Sequence, residues 1–390
     1  MKKRKIKVSF YDEFKCIASE CPITCCREWK IAVDERTRTK WEQTPWSEPG
    51  STEADGKLSD YLTEKDDSQI ICLKESMDCQ FLNEQKLCDL VTEYGDAVLS
   101  KTCREFPRQI HEFEDRIEYS LTALCPVVID LFYKTEEITF CEEDARKEAS
   151  EDWLLQMKNL LIDCMKDKSY TIEHALQMGF YLLLEANEAT QYTKKDVVEL
   201  SDALSDLKSD AADTFFECNE LFLDITENYR KQGIYLDFLE PLIALAEQFE
   251  ENSYQKEMTE PLEARDTEEK LMEDMEKFEA SFGEYENLLR NYLVSEMYGQ
   301  LLLPEYDWEN MVVAMQWIGM EYVVMRQALF LNWKSKKQLT YEMVKETIVY
   351  VARMTGYDEA DIFEYFEECF ESPIWEWGYF AFIVGDRRKK

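Results

Sequence analysis

Two histidines in 390 residues, His111 and His174, leave little room for imidazole chemistry. A Ser or Cys nucleophile has no credible histidine partner here. Glycine (11) and proline (9) are also scarce. So few breakers in a chain this long favour long helices over turn-rich sandwiches and barrels. No Gly-rich loop stands in a strand–turn–helix setting, so the dinucleotide-binding fingerprint is missing. The basic start, Met1 to Lys7, is not followed by an apolar run, because Asp12, Glu13 and Lys15 arrive at once. We therefore expect no export signal and a cytoplasmic protein. There is no internal repeat and no low-complexity tract.

Positive charge is the other shortage. Lys and Arg number 45 against 82 Asp and Glu, a net of -37. The imbalance is uneven: residues 1–130 hold 19 against 26, and the remainder 26 against 56. Such a surface repels phosphates, so nucleic acid is not an expected partner. Solubility explains the charge, and attraction of a lysine-bearing protein is compatible with it. A membrane is not expected either. Residues 311–333 are almost wholly apolar, but Glu321 and Arg326 interrupt them. Charges in a lone span cost several kcal/mol, so a buried central helix of a bundle is the better reading.

What the chain does have is cysteine. Nine of the 13 fall before residue 126. The first group reads Cys16-x4-Cys21-x3-Cys25-Cys26; later come Cys79, Cys88, Cys103 and Cys125. Cytoplasmic thiols stay reduced, so clustered ones are more often metal ligands than disulfides. Soft thiolates select zinc, copper(I) or iron–sulfur clusters. With so little histidine, a four-ligand site must be nearly all sulfur. Eight thiols suffice for one centre with spares or for two. Cys21, Cys25, Cys88 and Cys103 rank slightly ahead. The alternative is buried free thiols packing as small apolar groups, the preferred reading for Cys72, Cys141, Cys164, Cys218 and Cys369. Arg104 and Arg108 flank Cys103 and would lower a thiolate pKa or hold a ligand carboxylate; a plain surface pair explains them equally. The Cys-x3-Cys-x2-Cys signature of radical S-adenosylmethionine enzymes is absent, since Glu28 stands in its third position.

Elsewhere the pattern predicts a mainly α fold: a small irregular α+β cysteine-rich domain over residues 1–140, then an acidic α-helical bundle over 141–390. In the first part, Trp29 to Asp34 alternates like a strand and Asp34 caps a helix to Trp41. Residues 42–67 read as a loop or insertion, Gln69 to Leu73 as a strand and Gln109 to Leu121 as a hairpin. Pro126 opens a helix to about Tyr133. Helices are predicted near 149–167, 172–187, 195–207, 210–230, 236–250, 285–303, 311–333, 338–356, 358–370 and 373–384. Residues 251–280 read as a charged linker or an exposed helix.

The combination Phe14-x-Cys16-x4-Cys21-x3-Cys25-Cys26-x2-Trp29-x-Ile31-x2-Asp34 resembles the flagellin lysine-N-methylase family. So do Cys79-Gln80-Phe81-Leu82, Leu87-Cys88, Thr102-Cys103-Arg104, Pro107-Arg108 and Leu124-Cys125-Pro126. A looser match continues from Tyr285 to Leu293. The resemblance implies transfer of a methyl group from S-adenosylmethionine to lysine ε-amines of flagellin in the bacterial flagellum. It also implies a cysteine-bound iron–sulfur (4Fe-4S) cluster, with Cys16, Cys21, Cys25, Cys26, Cys79, Cys88, Cys103 and Cys125 as ligand candidates. Trp29, Tyr11 and Phe14 are candidates by position for an aromatic wall beside the sulfonium; Arg104 and Arg108 are the other cofactor-binding candidates. No catalytic base and no oligomeric state can be read. The rival reading is a non-catalytic zinc- or iron-chelating cysteine module whose helical domain binds a partner.

Overall fold

The computed structural model describes residues 3–47, 56–65, 68–143, 152–190, 192–205, 209–256, 261–357, 359–370 and 372–385. The middle of the predicted 42–67 insertion, the start of the predicted 149–167 helix and the basic tail lie outside them.

Local signals in the first part form short elements. β1 (Arg4–Val8) is followed by α1 (Glu35–Trp41), whose N-cap Asp34 accepts from the Thr37 N–H. The 42–67 stretch holds β2 (Pro45–Trp46), β3 (Gly56–Lys57) and β4 (Leu62–Lys65), the last pairing with β5 (Ser68–Ile71). The strand expected at Trp29 to Asp34 is reduced to an isolated bridge between Ala32 and Ile70. Two hydrogen bonds reach β5 (Val33 N–H to Gln69 O, Ile71 N–H to Ile31 O), and then Asp34 turns away to cap α1. Next come α2 (Asp89–Tyr94), α3 (Lys101–Glu105), the hairpin β6 (Arg108–Glu112) and β7 (Arg116–Leu121), α4 (Pro126–Lys134) and β8 (Phe140–Glu143). β1 lies parallel to β7 and antiparallel to β8, giving a sheet of order β6-β7-β1-β8.

The rest is helical: α5 (Trp153–Lys166), α6 (Ile172–Leu184), α7 (Lys194–Leu204), α8 (Ala211–Lys231), α9 (Leu236–Lys256), α10 (Pro261–Phe282), α11 (Glu286–Gln300), α12 (Trp308–Lys336), α13 (Tyr341–Thr355), α14 (Glu359–Cys369) and α15 (Trp377–Val384). The acidic 251–280 stretch is thus helical where described. α12 is the axis. It is apolar on every side, as a fully enclosed helix must be, and it packs against α6, α8, α9, α11, α13 and α15. Its polar groups are answered inside the protein: Gln316 accepts from the Trp375 N–H at 2.8 Å, and Gln327 donates to Asn219 at 2.9 Å. Among the described residues no helix is long and apolar enough to cross a membrane.

Two hydrophobic cores result. The larger runs from Val8 to Val384 and joins the four-stranded sheet and α4 to the helices. The smaller lies within residues 31–98 and is aromatic: Trp41 and Trp46 both pack edge-on against Phe81, at 5.5 and 5.4 Å. Cys26, Cys88 and Cys103 pack against this smaller core.

One ion network is sealed where α5 crosses the sheet. Lys158 donates to Glu118 Oε2 at 2.7 Å and Arg116 Nε to Oε1 at 2.6 Å, with all three side chains at most 2% exposed. Burial pushes the Glu118 carboxyl pKa up, but Lys158 and Arg116 outweigh it and hold the group below its usual range. Glu118→Ala strands the buried Lys158 ammonium and takes one carboxylate from Arg116, which keeps Asp115, so we expect a loss of about 3–5 kcal/mol in urea unfolding. Since the folded pKa is depressed, this contribution is present above the ordinary carboxylate range and disappears as pH falls through the folded value. The wild type should therefore lose its advantage over the variant in acid. A second test concerns Gly319, where a Cβ would fall inside the Phe380 ring of α15. Gly319→Ala gains about 1 kcal/mol of helix propensity but overpacks the crossing by about 1–3 kcal/mol; thermal denaturation should show a net fall in Tm.

Candidate functional site

The thiols are gathered by backbone first. The irregular segment from Cys16 to Trp29 is stitched to the following turn by Cys79 N–H to Cys26 O (2.7 Å) and Glu28 N–H to Met77 O (2.8 Å). Cys88 is the N-cap of α2 and Cys125 the N-cap of α4. Ser100 caps α3, accepting from the Cys103 N–H at 3.1 Å, which fixes Cys103 in the first turn. Main-chain amides stand near the sulfurs, Val91 and Leu90 by Cys88, Phe81 by Cys79, Ile23 by Cys21, and Val127 and Val128 by Cys125, and their dipoles favour a thiolate over a thiol. At Cys88 and Cys125 the sulfur closes no capping hydrogen bond.

Cys25, Cys79, Cys88 and Cys103 lie within electrostatic reach of one another in all six pairings. Cys26 joins them through a hydrogen bond to Cys25 and through interactions with Cys79 and Cys88. Cys25 also belongs to a second group with Cys21 and Cys125. Cys16 is exposed and lies within electrostatic reach of Cys21. The hydrogen bond from Cys26 draws the Cys25 pKa down while that of Cys26 is forced up. Burial pushes Cys79 and Cys125 to about 12 and Cys103 to about 11, and raises Cys21 and Cys88.

Among the described residues, no three His, Cys, Asp or Glu side chains are arranged as a metal-ion site. The thiols are neighbours, then, and not preset ligands about one point. Their chemistry nonetheless fits a soft, sulfur-loving centre: the donors are all sulfur and, Cys16 apart, partly or fully buried. The histidines take no part. His174 is buried against Ser201 at 2.8 Å, and His111 lies on β6.

A residue that sequence reading passed over holds the assembly. Arg353, near the end of α13, donates to the carbonyls of Ile23 (3.0 Å), Thr24 (3.2 Å) and Leu124 (3.1 Å). It thereby ties the Cys21–Cys25 loop to the residue before Cys125, and its charge favours thiolates at Cys25 and Cys21. The signal was faint: a lone arginine among the buried residues of an amphipathic helix, 228 positions from Cys125.

The cofactor-binding candidates are placed as follows. Trp29 packs edge-on against Phe106 at 4.8 Å, and the Arg353 guanidinium lies 5.6 Å from its ring. Arg108 stacks over Phe14 at 5.0 Å and stands 6.0 Å from the Tyr11 ring. All three aromatic rings therefore already carry one of the chain's own cations. Arg104 is exposed on α3. Cys164 and Cys218 are buried in the helical part, while Cys141 and Cys369 are exposed.

Arg353→Met leaves three carbonyls without their donor, each worth about 1–3 kcal/mol when buried. We expect faster alkylation of Cys21, Cys25 and Cys125, located by peptide mass spectrometry, with Cys218 unchanged. Equal rates in variant and wild type would show that the clamp is dispensable.

The family model described as "FliB lysine N-methylase C-terminal domain" matches residues 158–383, from α5 to α15. Over a stretch of 123 residues, 31% of this chain, the sequence is 31% identical to the "Flagellar biosynthetic protein FliU" of Salmonella muenchen, covering 71% of that protein. It is equally similar to the "Lysine-N-methylase" of Salmonella typhimurium and of Salmonella choleraesuis, covering 30% of each. No solved structure matches the chain. With the family model spanning more than half of its residues, the chain belongs to the FliB lysine N-methylase family.

Proposed function

We propose that this protein is a protein-lysine N-methyltransferase that moves a methyl group from S-adenosylmethionine to lysine ε-amines of flagellin, in the cytoplasm, with a cysteine-bound iron–sulfur cluster of the four-iron type. The observation that carries the reading is family membership over residues 158–383, adjoining a group of thiols drawn from four separate chain segments. A net charge of -37 suits a lysine-bearing protein substrate and disfavours nucleic acid.

Cys25, Cys79, Cys88 and Cys103 would hold the cluster, since every pair among them interacts. Cys21, Cys26 and Cys125 adjoin the quartet as replacements. Bound there, the cluster supplies an anionic inorganic centre that cross-links the segments. The protein's own tasks are separate. A lysine attacks a sulfonium methyl only as the neutral amine, so the site must take its proton. It must also align amine, methyl and sulfur, which supplies much of the rate. Arg353 and the Ser100 cap of α3 keep the thiol-bearing segments in place for both.

The test is anaerobic purification followed by incubation with flagellin and S-adenosylmethionine. We expect brown protein with stoichiometric iron and sulfide, and methyl increments on flagellin lysines by mass spectrometry. Cys88→Ser and Cys103→Ser should lose the iron, while Cys164→Ser keeps it. Colourless protein with stoichiometric zinc, and unmodified flagellin, would favour the chelating module without catalysis.

A further inference from the structure

Three basic side chains surround one carboxylate on the helix-covered face of the four-stranded sheet. In the antiparallel pairing of β6 with β7, His111 lies directly opposite Glu118, so the two side chains leave the sheet on the same face. Glu118 already accepts from Lys158 of α5 at 2.7 Å and from Arg116 at 2.6 Å. α11 closes over this face. Its Gly299 sits so near the sheet that a Cβ there would come 3.0 Å from Gln109 Oε1 and 3.2 Å from Ser120 Oγ. Lys158 lies over the ring of Tyr298 at 4.8 Å; that ring stacks on Phe140 of β8 at 4.3 Å, and its hydroxyl donates to the Ile6 carbonyl of β1 at 3.1 Å. The Nε2 atom of His111 is enclosed and closes no hydrogen bond among the described residues.

With His111 neutral, the charges of this seam balance. Lys158 and Arg116 face Glu118 and Asp115, the last accepting from Arg116 Nη1 at 3.0 Å. A proton on His111 would add an unmatched cation beside Lys158 and turn Nε2 into a donor with no acceptor, and both are costly in a closed site. The groups facing the ring pull in both directions. Burial opposes the charged form most, and Lys158 from α5 opposes it too; Glu118 from β7 and the Gly299 main chain of α11 favour it but are outweighed, so the ring's pKa is held below its usual value. The Tyr298 phenol, the titratable group that α11 adds beside Lys158, is kept neutral by burial. On β6 itself, Glu112 alternates to the opposite face and pairs with Lys3.

We propose that His111 is an acid-sensitive latch on the seam between sheet and helices: neutral, it lets α5 and α11 close on β6 and β7, and protonated, it loosens that seam together with the 122–125 loop, which follows β7 without a break and carries Cys125. The latch is a property of the fold and holds whether or not the protein transfers methyl groups. Its sign follows from linkage. The folded state binds this proton less well than the unfolded chain does, so stability is undiminished above the ordinary histidine range and falls as pH drops through that range towards the folded value. The window is distinct from that of Glu118, whose contribution disappears only below the ordinary carboxylate range.

The experiment uses the full-length protein with isotope-labelled histidine. Only two ring signals are present, from His111 and His174, and His111→Gln assigns them. The His111 ring should titrate below the ordinary value of about 6.5. Hydrogen exchange, corrected for its intrinsic pH dependence, is then mapped at about pH 8 and about pH 5.5, on either side of that value. In the wild type, acid should speed exchange in β6, β7, residues 122–125 and α5, by up to about tenfold per pH unit, since one proton is taken up on opening. In His111→Gln, whose side chain stays neutral, this acid-induced rise should be absent. His174 is common to both proteins and cancels from the comparison. Should His111→Gln fail to fold, the wild-type titration and exchange map decide alone. A His111 ring that titrates at or above the ordinary value, an acid-induced rise equal in the two proteins, or a rise that spares this seam would each overturn the latch.

Discussion

The thiol-bearing loops depend on one guanidinium. Three carbonyl oxygens, on Ile23, Thr24 and Leu124, converge on Arg353, and no regular hydrogen-bond ladder does the same work. Short loops that must bury sulfur cannot satisfy their own backbone, and an unpaired buried carbonyl is costly. A rigid helix of the bundle supplies the donor from outside. In this way the large core sets the geometry of a region that has only a small aromatic core of its own.

The same logic explains why the sheet belongs with the helices. Lys158 of α5 reaches Glu118 on β7 in a fully enclosed network, and Tyr298 of α11 donates to the Ile6 carbonyl on β1. α4 then leaves the sheet at Cys125 and packs on α11 and α13. The 122–125 loop is therefore pinned from both sides, and its Leu124 carbonyl is free to accept from Arg353.

Much of the fold was legible in order along the chain. Asp34, Pro126 and the apolar stripes announced their helices because capping and periodicity are local physics. α12 read correctly as a buried helix since its few charges had to find partners in protein. The strand at Trp29 to Asp34 was over-read, because alternation does not reveal that Asp34 is needed elsewhere as a cap. β8 and the parallel pairing of β1 with β7 were not visible, as a short edge strand carries almost no pattern. For the site, the cysteines stood out by spacing, whereas Arg353 looked like an ordinary member of an amphipathic helix.

The amino-acid sequence alone determined the mainly helical architecture, the concentration of sulfur at one end and the family likeness, since composition, period and spacing are properties of neighbouring residues. Only the tertiary structure decided which thiols come near one another and which arginine ties their loops together. Those are contacts between residues up to 330 positions apart, and nothing in a linear chain records distance in space.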